Sequence, residues 1–156
     1  MPNGSPDWEK RKRPKLEEFF KTISNVLVDF AKNHNLLIEK YFHQTPTWTF
    51  MFQHPKGGGA QIQVEKIGDN SVLLWSSWWI DDFDNQTRWW KYVKGESCTL
   101  DDNKLRDALE QIFKQLISWK KEDLKPVKSK YYRWGKQRDK EEFEGQIKEY
   151  PVPKIE

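Results

Sequence analysis

Few residues of this chain carry reactive or ligating groups, and their spacing argues against a catalytic or metal centre. His34, His43 and His54 stand nine and eleven residues apart. Two ligands on one helix face need three or four. Cys98 is the single cysteine, so the chain can form neither an internal disulfide nor a paired-cysteine zinc site. No histidine is set beside it by sequence, and it reads as a buried or inert thiol. Asp81-Asp82-Phe83-Asp84-Asn85 offers carboxylate oxygens to a divalent cation. It lacks the glycine and distal glutamate of a calcium loop, and suits a turn whose side chains bond their own backbone. Lys56-Gly57-Gly58-Gly59 has the glycines of a phosphate loop without its Gly-Lys-Ser/Thr ending, and reads as a hairpin turn. No cofactor, no metal and no catalytic residue are expected.

The distinctive chemistry is aromatic. Phe, Trp and Tyr make up 15% of the 156 residues. Five of the nine tryptophans, Trp75, Trp78, Trp79, Trp89 and Trp90, fall between Val72 and Lys94. That stretch reads as a long β-hairpin turning at Asp81 to Gln86. Its even positions are Val72, Leu74, Ser76, Trp78 and Ile80, and its odd positions Leu73, Trp75, Ser77 and Trp79, so neither face is polar. A loop centred near Asp84 sets Trp79 opposite Trp89 and Trp78 opposite Trp90. Ser77, Thr87 and Lys91 then share the odd set, which assigns Trp75, Trp79 and Trp89, beside Lys91, to the solvent face. Grouped exposed indoles mark an interaction surface. Tyr131, Tyr132 and Trp134, further along the chain, are expected to cover them unless a second subunit does.

Elements on either side must position this hairpin. Pro14 suits a helix start, and Leu16, Phe19, Phe20, Ile23, Val26, Leu27, Phe30 and Ala31 follow a helical apolar period ending near Asn35. Leu36 to Phe42 predicts a first strand. Trp48, Phe50 and Phe52 alternate with Thr47, Thr49 and Met51 in a second. Ala60, Ile62 and Val64 alternate with Gln61, Gln63 and Glu65 in a third. The alternation makes the Thr/Gln/Glu face the wet one. Gly95 is expected to end the sheet. Leu105, Leu109, Ile112, Phe113 and Leu116 predict a second amphipathic helix, with Thr99 or Asp101 as its cap. The expected fold is α+β: a two-layer sandwich with an N-terminal helix, an antiparallel meander of four to five strands, and a C-terminal helix on one sheet face.

Charge divides the chain into an expected flexible basic arm (1–13), one α+β domain (14–124) and a basic tail (125–156). Arm and tail each carry +3, with residue 14 to 15 included in the arm count, and the middle is net −3. No apolar run follows the N-terminal charges and no stretch approaches the ~18 apolar residues of a membrane helix, so a cytoplasmic protein with no membrane partner is expected. The expected function is a non-catalytic binding or adaptor module that contacts a protein partner, or forms a homodimer, through its aromatic sheet surface. The alternative is single-stranded nucleic-acid binding, with indoles stacking on bases and Lys10, Arg11, Lys12, Arg13 and Arg133 holding phosphates.

Overall fold

The structure is a computed structural model that describes residues 21, 23–42, 46–128 and 148–155. Helix α1 covers residues 23–34. Strands β1 (Leu37–Phe42), β2 (Pro46–Gln53), β3 (Gly59–Lys66), β4 (Ser71–Asp82) and β5 (Thr87–Thr99) follow. Helix α2 (Asp102–Ser118) and a 3-10 turn (Lys121–Asp123) lead to β6 (Lys125–Lys128). The fold is the α+β arrangement expected, with one strand more: β6 comes from the segment assigned to the basic tail. All six strands pair antiparallel in chain order.

The helices bury the face that periodicity assigns them. Ile23, Val26, Leu27, Phe30 and Ala31 of α1 pack with Leu105, Leu109, Ile112, Phe113 and Leu116 of α2. Both rest on Trp48, Phe50, Phe52, Ala60, Ile62, Val64, Val72, Leu74 and Trp78 of the sheet. Helix α1 ends at Asn35, whose φ of 59° is the left-handed conformation of a helix stop, and the Leu36 N–H bonds back to the Ala31 carbonyl. Asp101 caps α2, its carboxylate accepting from the Lys104 N–H at 3.0 Å.

Two backbone features fix the register of the hairpin. Its loop has four residues, Phe83 to Gln86, between the paired Asp82 and Thr87, and Gln86 takes a φ of 50°. Further along, Leu73 faces Ser97 but Trp75 faces Lys94, so β5 carries one extra residue opposite Leu74. This is a β-bulge. Gly95 sits in it because a Cβ there would lie 2.5 Å from the Leu74 carbonyl oxygen. Gly95 therefore does not end the sheet: β5 bends through it and runs on to Thr99.

Candidate functional site

The four-residue loop slips β5 by one residue from the expected pairing. Trp79 faces Trp90, not Trp89, and Trp78 faces Lys91. A one-residue slip moves every side chain of the strand to the other face. Trp75 and Trp79 lie on the face away from the helices, as expected, but Trp89 and Lys91 do not join them. Lys91 turns to the helix side, its Nζ 4.7 Å from the Trp119 ring centroid just past α2. Trp89 pairs with Ile80 on that same side, beyond the helices, and stays exposed. Their places on the outer face are taken by Trp90 and Tyr92.

The outer face of β4 and β5 thus holds a continuous row of rings. Trp75 stacks on Tyr92 with centroids 5.1 Å apart and planes at 26°. Tyr92 meets Trp90 at 5.2 Å and 40°. Tyr92 is 43% and Trp90 36% exposed. Charged groups frame the row. Lys94 Nζ lies 5.5 Å from the Trp75 ring, and the Trp75 Nε1–H donates to Glu65 at 3.2 Å. The Arg88 guanidinium lies 5.5 Å from the Trp79 ring. It donates twice to Asp81, from Nε at 2.8 Å and from the terminal nitrogen at 3.1 Å. Lys125 of β6 pairs with Trp90 and Val127 with Arg88, so β6 widens the same face.

The centre of this face is not wet. Thr47, Thr49, Ser77 and Trp79 are buried, although the Thr/Gln/Glu alternation predicted solvent there. Tyr150 is half-buried, and its carbonyl accepts from the Gln53 side chain at 2.9 Å. Its hydroxyl is pushed above the ordinary tyrosine value, first by burial and then by the charge of Glu39, while Arg88 pulls the other way. Glu39 pairs with Thr49 on the outer side of the sheet. Tyr131, Tyr132, Trp134 and Arg133, and the arm residues Lys10, Arg11, Lys12 and Arg13, lie outside the described residues.

The remaining polar candidates have structural partners. His54 is buried and stacked on Trp78 at 3.8 Å. The Lys56 backbone N–H donates to its Nδ1 at 3.1 Å, so Nε2 carries the proton and donates to the Leu116 carbonyl at 2.8 Å. Burial, with the Lys56 charge adding and the Leu116 bond opposing, lowers its pKa to about 4. His34 Nε2 meets both oxygens of Glu110, at 2.8 and 2.9 Å, in a cleft of about 710 Å³ between the end of α1, α2 and Lys154. Cys98 is half-buried, its thiol raised chiefly by burial and hydrogen-bonded to the Thr99 carbonyl at 3.3 Å. Asp82 accepts from the backbone and the side chain of Asn85, at 3.3 and 2.7 Å, inside its own turn. Among the described residues, no three His, Cys, Asp or Glu side chains come together, and no helix is long and apolar enough to cross a membrane.

Sequence reading did not assign Trp90, Tyr92 and Lys94 to the outer face because it centred the loop near Asp84, whereas the pairing centres it between Asp84 and Asn85. Gly95 in mid-strand signalled only the bulge beyond them, since an interior glycine often marks one. No family model, curated protein or solved structure matches the chain.

Proposed function

We propose that the protein is a non-catalytic binding module that contacts a protein partner through the outer aromatic surface of β4 and β5. The observation that supports this reading is the row Trp75–Tyr92–Trp90, in which Tyr92 and Trp90 are exposed and Trp75 is half-buried. Held rings give large contact area at little cost in side-chain entropy, and aromatic residues dominate interface hot spots. Glu65 and Asp81 bear on the choice of partner. They bind the Trp75 N–H and the Arg88 guanidinium on this same face. A phosphate backbone laid here crosses two carboxylates, whereas a protein surface can match the mixed charge.

The test compares the full chain with Trp90→Ser/Tyr92→Ser. A protein partner captured by the full chain is expected to bind the double variant about 30-fold more weakly, the loss of a ~2 kcal/mol hot spot, with an unchanged melting temperature. Equal capture by both proteins overturns the reading. Self-association abolished by the same substitutions assigns the face to a second copy.

Single-stranded nucleic acid is the second reading, supported by Lys94 over Trp75 and by Lys125 opposite Trp90. It requires tryptophan fluorescence to be quenched by an oligonucleotide at low salt, and the quenching to fade steeply as salt rises.

A further inference from the structure

Residues 148–155 lie against the corner where α1 ends and β2 overhangs β1. Leu37 pairs with Met51, yet β2 continues to Gln53, so its last two residues have no partner in β1. The Gln53 backbone N–H donates instead to the Pro151 carbonyl at 2.8 Å. The Gln53 side-chain amide donates to the carbonyls of Tyr150, at 2.9 Å, and Lys148, at 3.2 Å. Asn35 donates from Nδ2 to the Val152 carbonyl at 2.7 Å. The Lys154 N–H returns a bond to the His34 carbonyl at 2.9 Å.

All five bonds reach main-chain groups of the segment. The corner uses carbonyls up to Val152 and the N–H of Lys154, and these bonds ask for no N–H at Pro151 or Pro153, where proline has none to give. Side chains add a simple pattern. Pro153 is buried and Tyr150 and Pro151 are half-buried, while Val152, Lys154 and Ile155 point to water. An extended Tyr-Pro-X-Pro peptide with two residues before it and a non-proline residue after it meets every one of these contacts. Residues 150–155 belong to no helix or strand, so their release leaves the sheet ladder intact.

We propose that this corner is a recognition groove for extended Tyr-Pro-X-Pro segments of another protein, and that residues 148–155 occupy it in cis as a displaceable competitor. The mode combines main-chain pairing at a strand edge with a proline anchor. It does not depend on the ring row of β4 and β5.

The experiment titrates a labelled peptide of the sequence Lys-Glu-Tyr-Pro-Val-Pro-Lys-Ile into the full chain and into its Pro153→Asp variant, with circular dichroism reporting the fold. A cis segment docked about nine-tenths of the time lowers apparent affinity about tenfold, so the variant is expected to bind about tenfold more tightly than the unaltered chain. Adding Asn35→Gly, which keeps the positive φ and removes the amide, is expected to weaken that binding about fivefold. Should Pro153→Asp unfold, the unaltered chain decides: excess peptide is expected to release the Lys154 amide from protection against hydrogen exchange. The proposal fails if the folded variant binds no peptide at millimolar concentration, or if the Lys154 amide stays protected throughout. It also fails if the unaltered chain is a dimer in which a second copy's segment fills the groove.

Discussion

Two neighbouring tryptophans on β4 are buried on opposite faces and satisfied differently. Trp78 lies under the helices, and its Nε1–H donates to the Gly57 carbonyl at 2.7 Å. Trp79 faces outward and its buried Nε1 has no hydrogen-bond partner among the described residues. Gly59 lies so close beneath the Trp79 ring that a Cβ would come within 2.5 Å of it. Phenylalanine at 79 removes an unsatisfied donor together with some ring volume. Phenylalanine at 78 removes volume and a made bond. Trp78→Phe is therefore expected to destabilise the protein by about 1–2 kcal/mol more than Trp79→Phe in urea unfolding. Equal losses would show that the orphaned N–H of Trp79 carries no penalty. The burial of both rings was half legible: alternation put Trp78 with the helices, but nothing in the neighbouring Thr and Gln residues announced that the face of Trp79 is shielded at its centre.

At the scale of elements, the β2–β3 turn anchors the end of α2. That helix has no basic residue in its last turn. The turn supplies the missing donors: His54 to the Leu116 carbonyl, and Lys56 Nζ to the Ile117 carbonyl at 3.0 Å and the Trp119 carbonyl at 2.5 Å. This arrangement needs neutral His54, because protonated Nδ1 cannot accept from the Lys56 N–H. The folded chain takes up that proton near pH 4, while the unfolded chain does so near 6.5. Between those values the unfolded state holds more protons, so stability rises with pH. The contribution of His54 is whole above about pH 6.5 and is lost as pH falls toward 4, a change of roughly 2–3 kcal/mol. Unfolding free energies measured from pH 7 to 4 are expected to fall more steeply for the natural chain than for His54→Gln, and parallel curves would refute the linkage. Helix and strand positions were legible because periods of 3.6 and 2 persist through them. This latch was not, since His54 and Leu116 are brought together only by the tertiary fold. The register of β5 was not legible either, since it depends on a left-handed Gln86 and on the bulge at Gly95.

For the molecule as a whole, an open six-stranded meander leaves two edges, and each edge is a template for pairing with another chain. The layer order was readable in advance, because strands joined by short turns pair with their neighbours and two helices with one apolar face each must share a side of the sheet. The sixth strand was hidden, because Lys125-Pro126-Val127-Lys128 has no alternation to mark it and a proline argues against a central strand. That same proline explains what β6 does at the edge. Pro126 pairs with Trp89, and its nitrogen offers no N–H to the outside of the sheet. Two of the four residues of β6, Lys125 and Lys128, are lysines. Pro126→Val restores an outward N–H and a β-branched side chain next to exposed Val127. The variant is expected to fold with a melting temperature close to that of the natural chain, yet to associate through β6. Sedimentation velocity at increasing concentration should show a growing dimer or larger species for Pro126→Val and a constant coefficient for the natural chain. A second substitution, Val127→Lys, is expected to reverse the association by setting a third charge on the strand. If Pro126→Val sediments like the natural chain at every concentration, the proline is not what keeps this edge from pairing.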